Sequence, residues 1–204
     1  MKCVIFAAMP VSAQMLRYCE DADIVIAADA GWHSASKLGI EPDIFLGDFD
    51  SAEVPQGKDV LHLPQEKDDT DTLYAARKAI ALGAHEVVIL GGLGGRFDHT
   101  IANLHTLLFL QSAGVHALLA DEKTEITVLS AGTHTIRAQK NVYLSLFPAG
   151  ESAQGVTLQG VKYPLTNATL TNTYPVGVSN EFAAEKAQIT FKKGQLYCIL
   201  AAKE

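Results

Sequence analysis

The chain has 204 residues, 48% of them hydrophobic and 19% charged, which is enough apolar material for one large domain or two small ones with a sizeable core. Its formal charge of −7 at pH 7 argues against a general affinity for nucleic acid or anionic membrane, since no basic stretch exists to neutralise a run of phosphates. A small anionic ligand held through a metal and a few cations stays open.

Cys3 to Ala8 reads as a buried strand, too brief an apolar run for a signal peptide, and nothing further on approaches the length of a membrane span, so a cytoplasmic protein is expected. A short helix over residues 12–20 and a strand over Ile24–Ala28 follow, the strand running into Asp29-Ala30-Gly31. Residues 32–38 form a short helix closed by Gly39, Asp43–Leu46 a brief strand, and Val60–Leu63 another. Thr70–Leu82 is a helix that Asp69 or Thr70 can cap and Gly83 ends. Glu86–Leu90 is a strand, and Asp98–Ser112 a helix with Ile101, Leu104 and Leu108 on one face and Gly114 as its stop. After about residue 124 the period of the apolar pattern drops to two. Strands are expected at Ile126–Leu129, Thr133–Arg137, Val142–Phe147, Gly155–Gln159 and Ala168–Thr171, then a hairpin of Ala187–Phe191 and Gln195–Leu200 around Lys193-Gly194. The three cysteines are odd in number and lack metal-ligand spacing, so no disulfide framework is expected.

Acidic residues gather where apolar runs end, the place where an open α/β sheet collects its ligand-binding loops. Asp48 and Asp50 alternate along an extended segment, so both carboxylates can face one ligand while Phe49 points inward; the competing account is a pair of solvated loop aspartates with Ser51 in a turn. Asp68, Asp69 and Asp71 crowd a helix entrance, where one carboxylate suffices for capping and three repel one another without a cation. Lys67 beside them either touches phosphate or is simply solvated. Hard oxygen ligands of this kind suit Mg²⁺. Gly91-Gly92-Leu93-Gly94-Gly95-Arg96 lies between a strand and a helix, the setting of a phosphate-binding loop, although it matches neither a P-loop nor a clean G-x-G-x-x-G. Arg96 there can clamp phosphate oxygens bidentately, while Asp98 caps the helix or reaches the metal. Asp29 binds ligand or caps; His99 is an acid/base by residue type but sits in a first helical turn.

Taken together, Asp29-Ala30-Gly31, Pro42-Asp43, Gly47-Asp48-Phe49-Asp50-Ser51, Lys67-Asp68-Asp69-Thr70-Asp71, Gly94-Gly95-Arg96-Phe97-Asp98-His99 and Asn103 resemble the thiamine pyrophosphokinase family, as do the later segments Leu158–Leu165 and Gly177–Glu181. Two departures stand out: Asp29-Ala30-Gly31 replaces the usual Asp-Gly-Gly, and Val178 stands where Thr or Ser often precedes Ser-Asn. The expected fold class is α/β, with an N-terminal open, mostly parallel, Rossmann-like sheet with helices over 1–124 as the ATP- and Mg²⁺-binding catalytic domain. A C-terminal all-β sandwich over 125–204 then carries thiamine. The resemblance implies transfer of a pyrophosphoryl group from ATP to the hydroxyl of thiamine, giving thiamine diphosphate and AMP.

It further implies Mg²⁺ on Asp48, Asp50, Asp68, Asp71 and Asp98, with Asp48, Asp71, Asp98 and Arg96 as catalytic residues. ATP contacts would come from Asp29, Lys67, Asp68, Thr70, Gly95, Arg96 and Asn103, and thiamine contacts from Ser179 and Asn180. The working unit would be a homodimer with sites at the subunit interface, and neither nucleic acid nor membrane is an expected partner. Two other classes compete: a Mg²⁺ phosphohydrolase of haloacid-dehalogenase-like type using Asp48 or Asp50 as nucleophile, and a non-catalytic nucleotide- or thiamine-binding module.

Overall fold

Apolar runs in the first half of the chain become parallel strands buried on both faces, the pattern that near-continuous Val/Ile/Ala/Leu sequences require. The computed structural model describes residues 1–47, 59–62 and 69–203, apart from the side chains of Asp59 and His62. The chain divides into two units, Met1–Glu122 and Lys123–Glu204. In the first, β1 (Lys2–Phe6), β2 (Ile24–Ala28), β3 (Ile44–Gly47), β4 (Asp59–His62), β5 (Glu86–Leu90) and β6 (His116–Ala120) line up in the order β6-β5-β1-β2-β3-β4. Every neighbouring pair is parallel. Val4, Phe6, Val25, Val88 and Leu90 form its core with Met15 and Ala35.

The helices are α1 (Gly31–Lys37), α2 (Asp71–Ala81) and α3 (Phe97–Ser112). Ala75, Ala76 and Ala79 of α2 are fully buried, small side chains that bring its backbone close to the sheet. Residues 13–18 form a 3₁₀ helix with Met15 as its buried anchor, shorter than the expected 12–20. Helix α3 buries Asn103, Thr106, Leu107 and Leu110 instead of the expected Ile101, Leu104 and Leu108 face. The consecutive apolar residues Leu107 to Leu110 pass round the helix, so periodicity does not single out the inner face. Strand β6 was not expected, because His116-Ala117-Leu118-Leu119-Ala120 contains no β-branched residue and is too short for its period to decide.

The second unit is antiparallel throughout: β7 (Thr124–Arg137), β8 (Val142–Pro148), β9 (Ser152–Gln159), β10 (Leu165–Thr171) and β11 (Lys186–Ala202). Two corrections arise. Residues 126–137 are one strand instead of two, and the anticipated hairpin at Lys193-Gly194 does not form. Instead β11 keeps β7 as a neighbour along its whole length and changes its other neighbour from β9 to β8, with a register shift between Phe191 and Gln195. A register shift within one continuous strand is thus what a Lys-Gly pair inside an alternating run produces. Leu144, Leu146, Val156, Leu158, Leu170, Ile189, Phe191 and Leu196 fill the core of this unit.

The architecture is mixed α/β, with extensive sheet and few helices. All three cysteines are free; burial pushes the Cys3 and Cys198 thiols up to about 12, with the charge of Asp43 adding to the effect at Cys3. They are poor nucleophiles. Among the described residues no helix is long and apolar enough to cross a membrane.

Candidate active site

Parallel pairing puts the carboxyl ends of β1 to β6 on one edge, so the described segments following β1, β2 and β5 share that edge. The chain leaves β1 toward β2 on one side, whereas β5 and β6 lie on the other, which makes the β1/β5 boundary the point where strand order reverses. Ligands of open parallel sheets bind in the crevice at such a point. A cavity of about 300 Å³ lies there, lined by Ala7, Ala8 and Met9 after β1, Asp29 after β2, Gly91, Gly92 and Gly94 after β5, Thr72 of α2, and Arg96, His99 and Asn103 around the start of α3.

Local geometry fixes three of the lining residues. Asp29 adopts the left-handed conformation at φ 50, and its N–H donates to the Leu46 carbonyl at 2.7 Å. Gly91 has φ +72, and a Cβ there would press on the carbonyls of Ala7 and Met9, so only glycine lets the two loops meet. Asn103 is buried, and its Nδ2 donates to the Gly92 carbonyl at 2.7 Å, tying α3 to the glycine loop.

Arg96 and Asp98 form a fork, with Nη2 to Oδ2 at 2.6 Å and Nε to Oδ1 at 3.2 Å. Both side chains are largely exposed, 74% and 63%. The hydrogen bonds from Arg96 hold the Asp98 carboxyl below the usual carboxylate range and raise the guanidinium in turn. Asp98 is not the cap of α3: Arg96 occupies that position without a side-chain capping bond to the helix, and Asp98 lies inside the first turn, accepting from the His99 N–H at 3.0 Å.

At α2 the cap is Thr70, whose Oγ1 accepts from the Leu73 N–H at 3.2 Å. Asp71 is the first residue of the helix and half-buried, where unpaired N–H groups favour negative charge. Asp69 has a cation of its own, Arg77, at 2.7 Å, which removes part of the repulsion that the three neighbouring aspartates implied.

Of the expected ATP-site residues, Asp29, Arg96 and Asn103 meet at the cavity and Gly95 lies between lining residues Gly94 and Arg96; Asp71, expected as a metal ligand and catalytic residue, precedes the lining residue Thr72. Thr70 is used as a cap. Asp48, Asp50, Lys67 and Asp68 lie outside the described residues. Among the described residues no three His, Cys, Asp or Glu side chains are grouped to hold a metal. Ala7, Ala8, Met9 and Thr72 were passed over by sequence reasoning; the one signal available was that the first strand ends at Ala-Ala-Met, since the rule for strand ends holds for uncharged loops too.

Ser179 and Asn180 lie in the second unit. Ser179 is exposed with φ 57, and its N–H donates to Ser145 Oγ at 2.9 Å. The Asn180 side chain is committed inside the chain: Oδ1 accepts from the N–H groups of Tyr163 and Glu181, both at 3.0 Å, and Nδ2 donates to the Tyr163 carbonyl at 2.7 Å. One amide hydrogen is left for a ligand. Next to it, Lys203 at 2.6 Å and Lys162 at 2.9 Å pull the Glu181 carboxyl down to about 2. Glu181 and Lys203 border a wider, open hollow of about 670 Å³ that carries no glycine loop.

The model of the thiamin pyrophosphokinase catalytic domain matches residues 15–119, and that of the thiamin pyrophosphokinase vitamin B1 binding domain matches residues 133–196. A thiamine pyrophosphokinase from Bacillus subtilis (strain 168) is 30% identical over 190 residues, covering 89% of each chain. A crystal structure of thiamine pyrophosphokinase from Bacillus subtilis superposes with a TM-score of 0.91 at 27% identity over 100% of both chains. One of thiamin pyrophosphokinase from Geobacillus thermodenitrificans gives 0.88 at 28% identity, covering 100% of this chain and 99% of that one.

Proposed function

Because the chain belongs to the thiamin pyrophosphokinase family, we propose that its parallel-strand unit binds ATP and its antiparallel unit thiamine. The enzyme is a thiamine diphosphokinase, moving a pyrophosphoryl group from ATP to the hydroxyl of thiamine to give thiamine diphosphate and AMP. We read the first unit as a Rossmann-like open sheet, on its reversal of strand order at β1/β5, and the second as a β-sandwich, on the exchange of β9 for β8 along β11. The observation that carries the nucleotide assignment is the cavity at that reversal, where a glycine loop, Asp29 and Arg96 converge. A phosphohydrolase nucleophile would be expected after the first strand, where this chain has Ala7-Ala8-Met9.

In this reading the hydroxyl oxygen of thiamine attacks the β-phosphorus in line, the bond from that phosphorus to the α–β bridging oxygen breaks, and AMP leaves with the electron pair. The alcohol proton passes to Asp71 or Asp48. Arg96 turns its fork from Asp98 to phosphate oxygens, a planar two-point contact that a carboxylate already demonstrates in the resting chain. The glycine loop and the first turn of α3 offer backbone N–H groups to the same anion. An oxygen-only set of Asp71 with Asp48, Asp50, Asp68 and Asp98 fits Mg²⁺ by donor type, and Asp71 stands at the entrance of α2, next to the lining residue Thr72. Mg²⁺, when bound, would supply neutralising charge to the transferred group. On the thiamine side, Ser179 presents its exposed hydroxyl, while Asn180 holds Tyr163 and offers its remaining N–H.

We also propose a cytoplasmic homodimer with shared sites, acting on small molecules and not on nucleic acid or membrane. Support comes from the −7 charge and from the exposed Tyr174, Val176 and Val178 just before Ser179, apolar surface that an isolated subunit leaves in water. Light scattering at assay concentration is expected to report a dimer; a fully active monomer would rule shared sites out. The test of function is incubation with ATP, Mg²⁺ and thiamine followed by phosphorus NMR. Thiamine-dependent AMP is expected, and ADP or orthophosphate in its place would overturn the reading.

A further inference from the structure

The glycine loop is fastened unevenly. At its base the Ala7 N–H donates to the Leu90 carbonyl at 2.7 Å and the Met9 N–H to the Gly91 carbonyl at 2.9 Å, which extends the β1/β5 pairing past the strand ends. Its middle is held by Asn103 through the Gly92 carbonyl. The tip, Gly94-Gly95-Arg96, has a long bond of 3.4 Å from Thr100 Oγ1 to the Gly94 carbonyl and a 3.3 Å bond from the Thr100 N–H to the Arg96 carbonyl. Between those two anchors stands Gly95, at φ +62. A Cβ built there would lie 2.6 Å from Met9 Sδ and 3.2 Å from Met9 Cε, and its third-nearest neighbour is Met9 Cγ. The underside of Gly95 therefore rests on one side chain, the thioether of Met9.

This contact joins the loop after β1 to the residue immediately before Arg96. Met9 is half-buried at the cavity, is followed by Pro10, which restrains its backbone, and has the unbranched, polarisable side chain that fills an irregular gap. Asp98 holds the Arg96 guanidinium from outside, while Met9 supports the turn from inside. We propose that Met9 is a positioning residue for the transfer: its thioether props the Gly94-Gly95-Arg96 turn and so sets where the Arg96 guanidinium meets the nucleotide phosphates. The proposal rests on the reading of Arg96 as a phosphate ligand, and a displaced clamp weakens a contact that depends on planar two-point geometry.

The experiment is a set of steady-state measurements on Met9→Ala, Met9→Leu, Arg96→Lys and the Met9→Ala/Arg96→Lys double variant, with circular dichroism as the folding check. Met9→Ala is expected to raise the KM for ATP by roughly tenfold while the KM for thiamine stays within about twofold, a split that general loosening would not give. Met9→Leu, close in volume, restores the parental KM. In the Met9→Ala background the further loss from Arg96→Lys shrinks, because the two residues act on one contact. Met9→Val, which shortens the side chain without opening the whole space, gives the same split at lower amplitude should the alanine variant not fold. A damaging Arg96→Lys with a silent Met9→Ala overturns the role of Met9 alone, as do additive effects in the double variant. A silent Arg96→Lys overturns the phosphate role of Arg96 and that of Met9 with it.

Discussion

Asp71→Asn is expected to lower kcat by at least about 100-fold, the scale on which one preorganised electrostatic group acts, and to leave the fold intact. The substitution keeps size and shape and removes a charge. Thr70 still caps α2 through Leu73, so the helix keeps its cap, and the lost interaction of a charge with its N-terminus costs about 0.3 to 1 kcal/mol. A structural role for the carboxylate predicts the reverse balance, a small loss of turnover alongside a matching loss of stability. Kinetics and thermal denaturation on the same preparation separate the two; turnover within about threefold of the parent would remove Asp71 from the catalytic set.

Asn180→Ala is expected to act chiefly on stability. It leaves the Tyr163 N–H, the Tyr163 carbonyl and the Glu181 N–H without their partner in a part-buried setting; a stranded polar group costs on the order of 1 to 3 kcal/mol when fully buried and less where water reaches it. A net loss of about 3 kcal/mol, or roughly 10 °C or more in Tm for a unit of this size, follows. Asn180→Asp keeps the acceptor and loses the donor to Tyr163, so it should fall between the two. Urea denaturation reads the difference; an alanine variant as stable as the parent, with only its thiamine KM raised, would make Asn180 a ligand contact and not a brace.

How much of this was legible beforehand depends on where the determining interaction lies. Alternation of strand and helix in the first unit was readable because β1, β2 and β5 are dense in Val, Ile and Ala and because Thr70 and Gly83 punctuate α2 locally. Asp29 and Arg96 were readable as loop residues for the same reason: a strand end marks its own successor. Strand β6 was not, since its Ala/Leu composition suits a helix equally, and β11 was divided in two because Lys193-Gly194 marks a turn and a bulge alike. The roles of Met9 and Asn180 were out of reach. Each depends on a partner far along the chain, Gly95 for one and Tyr163 for the other, and neither partner leaves a trace in local periodicity or propensity.

The path of β11 also bears on the order in which the molecule is assembled during synthesis. It is the strand of the second unit made last, yet it lies between β7 and first β9, then β8, with pairs as distant in sequence as Ala201 with Thr124. Until it emerges from the ribosome, β7 lacks its antiparallel partner in the unit, β8 lacks its neighbour, and the pair β9/β10 has nothing to join. Contacts that close such long loops are slow to form, so nascent β7, β8 and the β9 side of the β9/β10 pair must wait for β11 while the first unit, already complete in sequence, is free to fold.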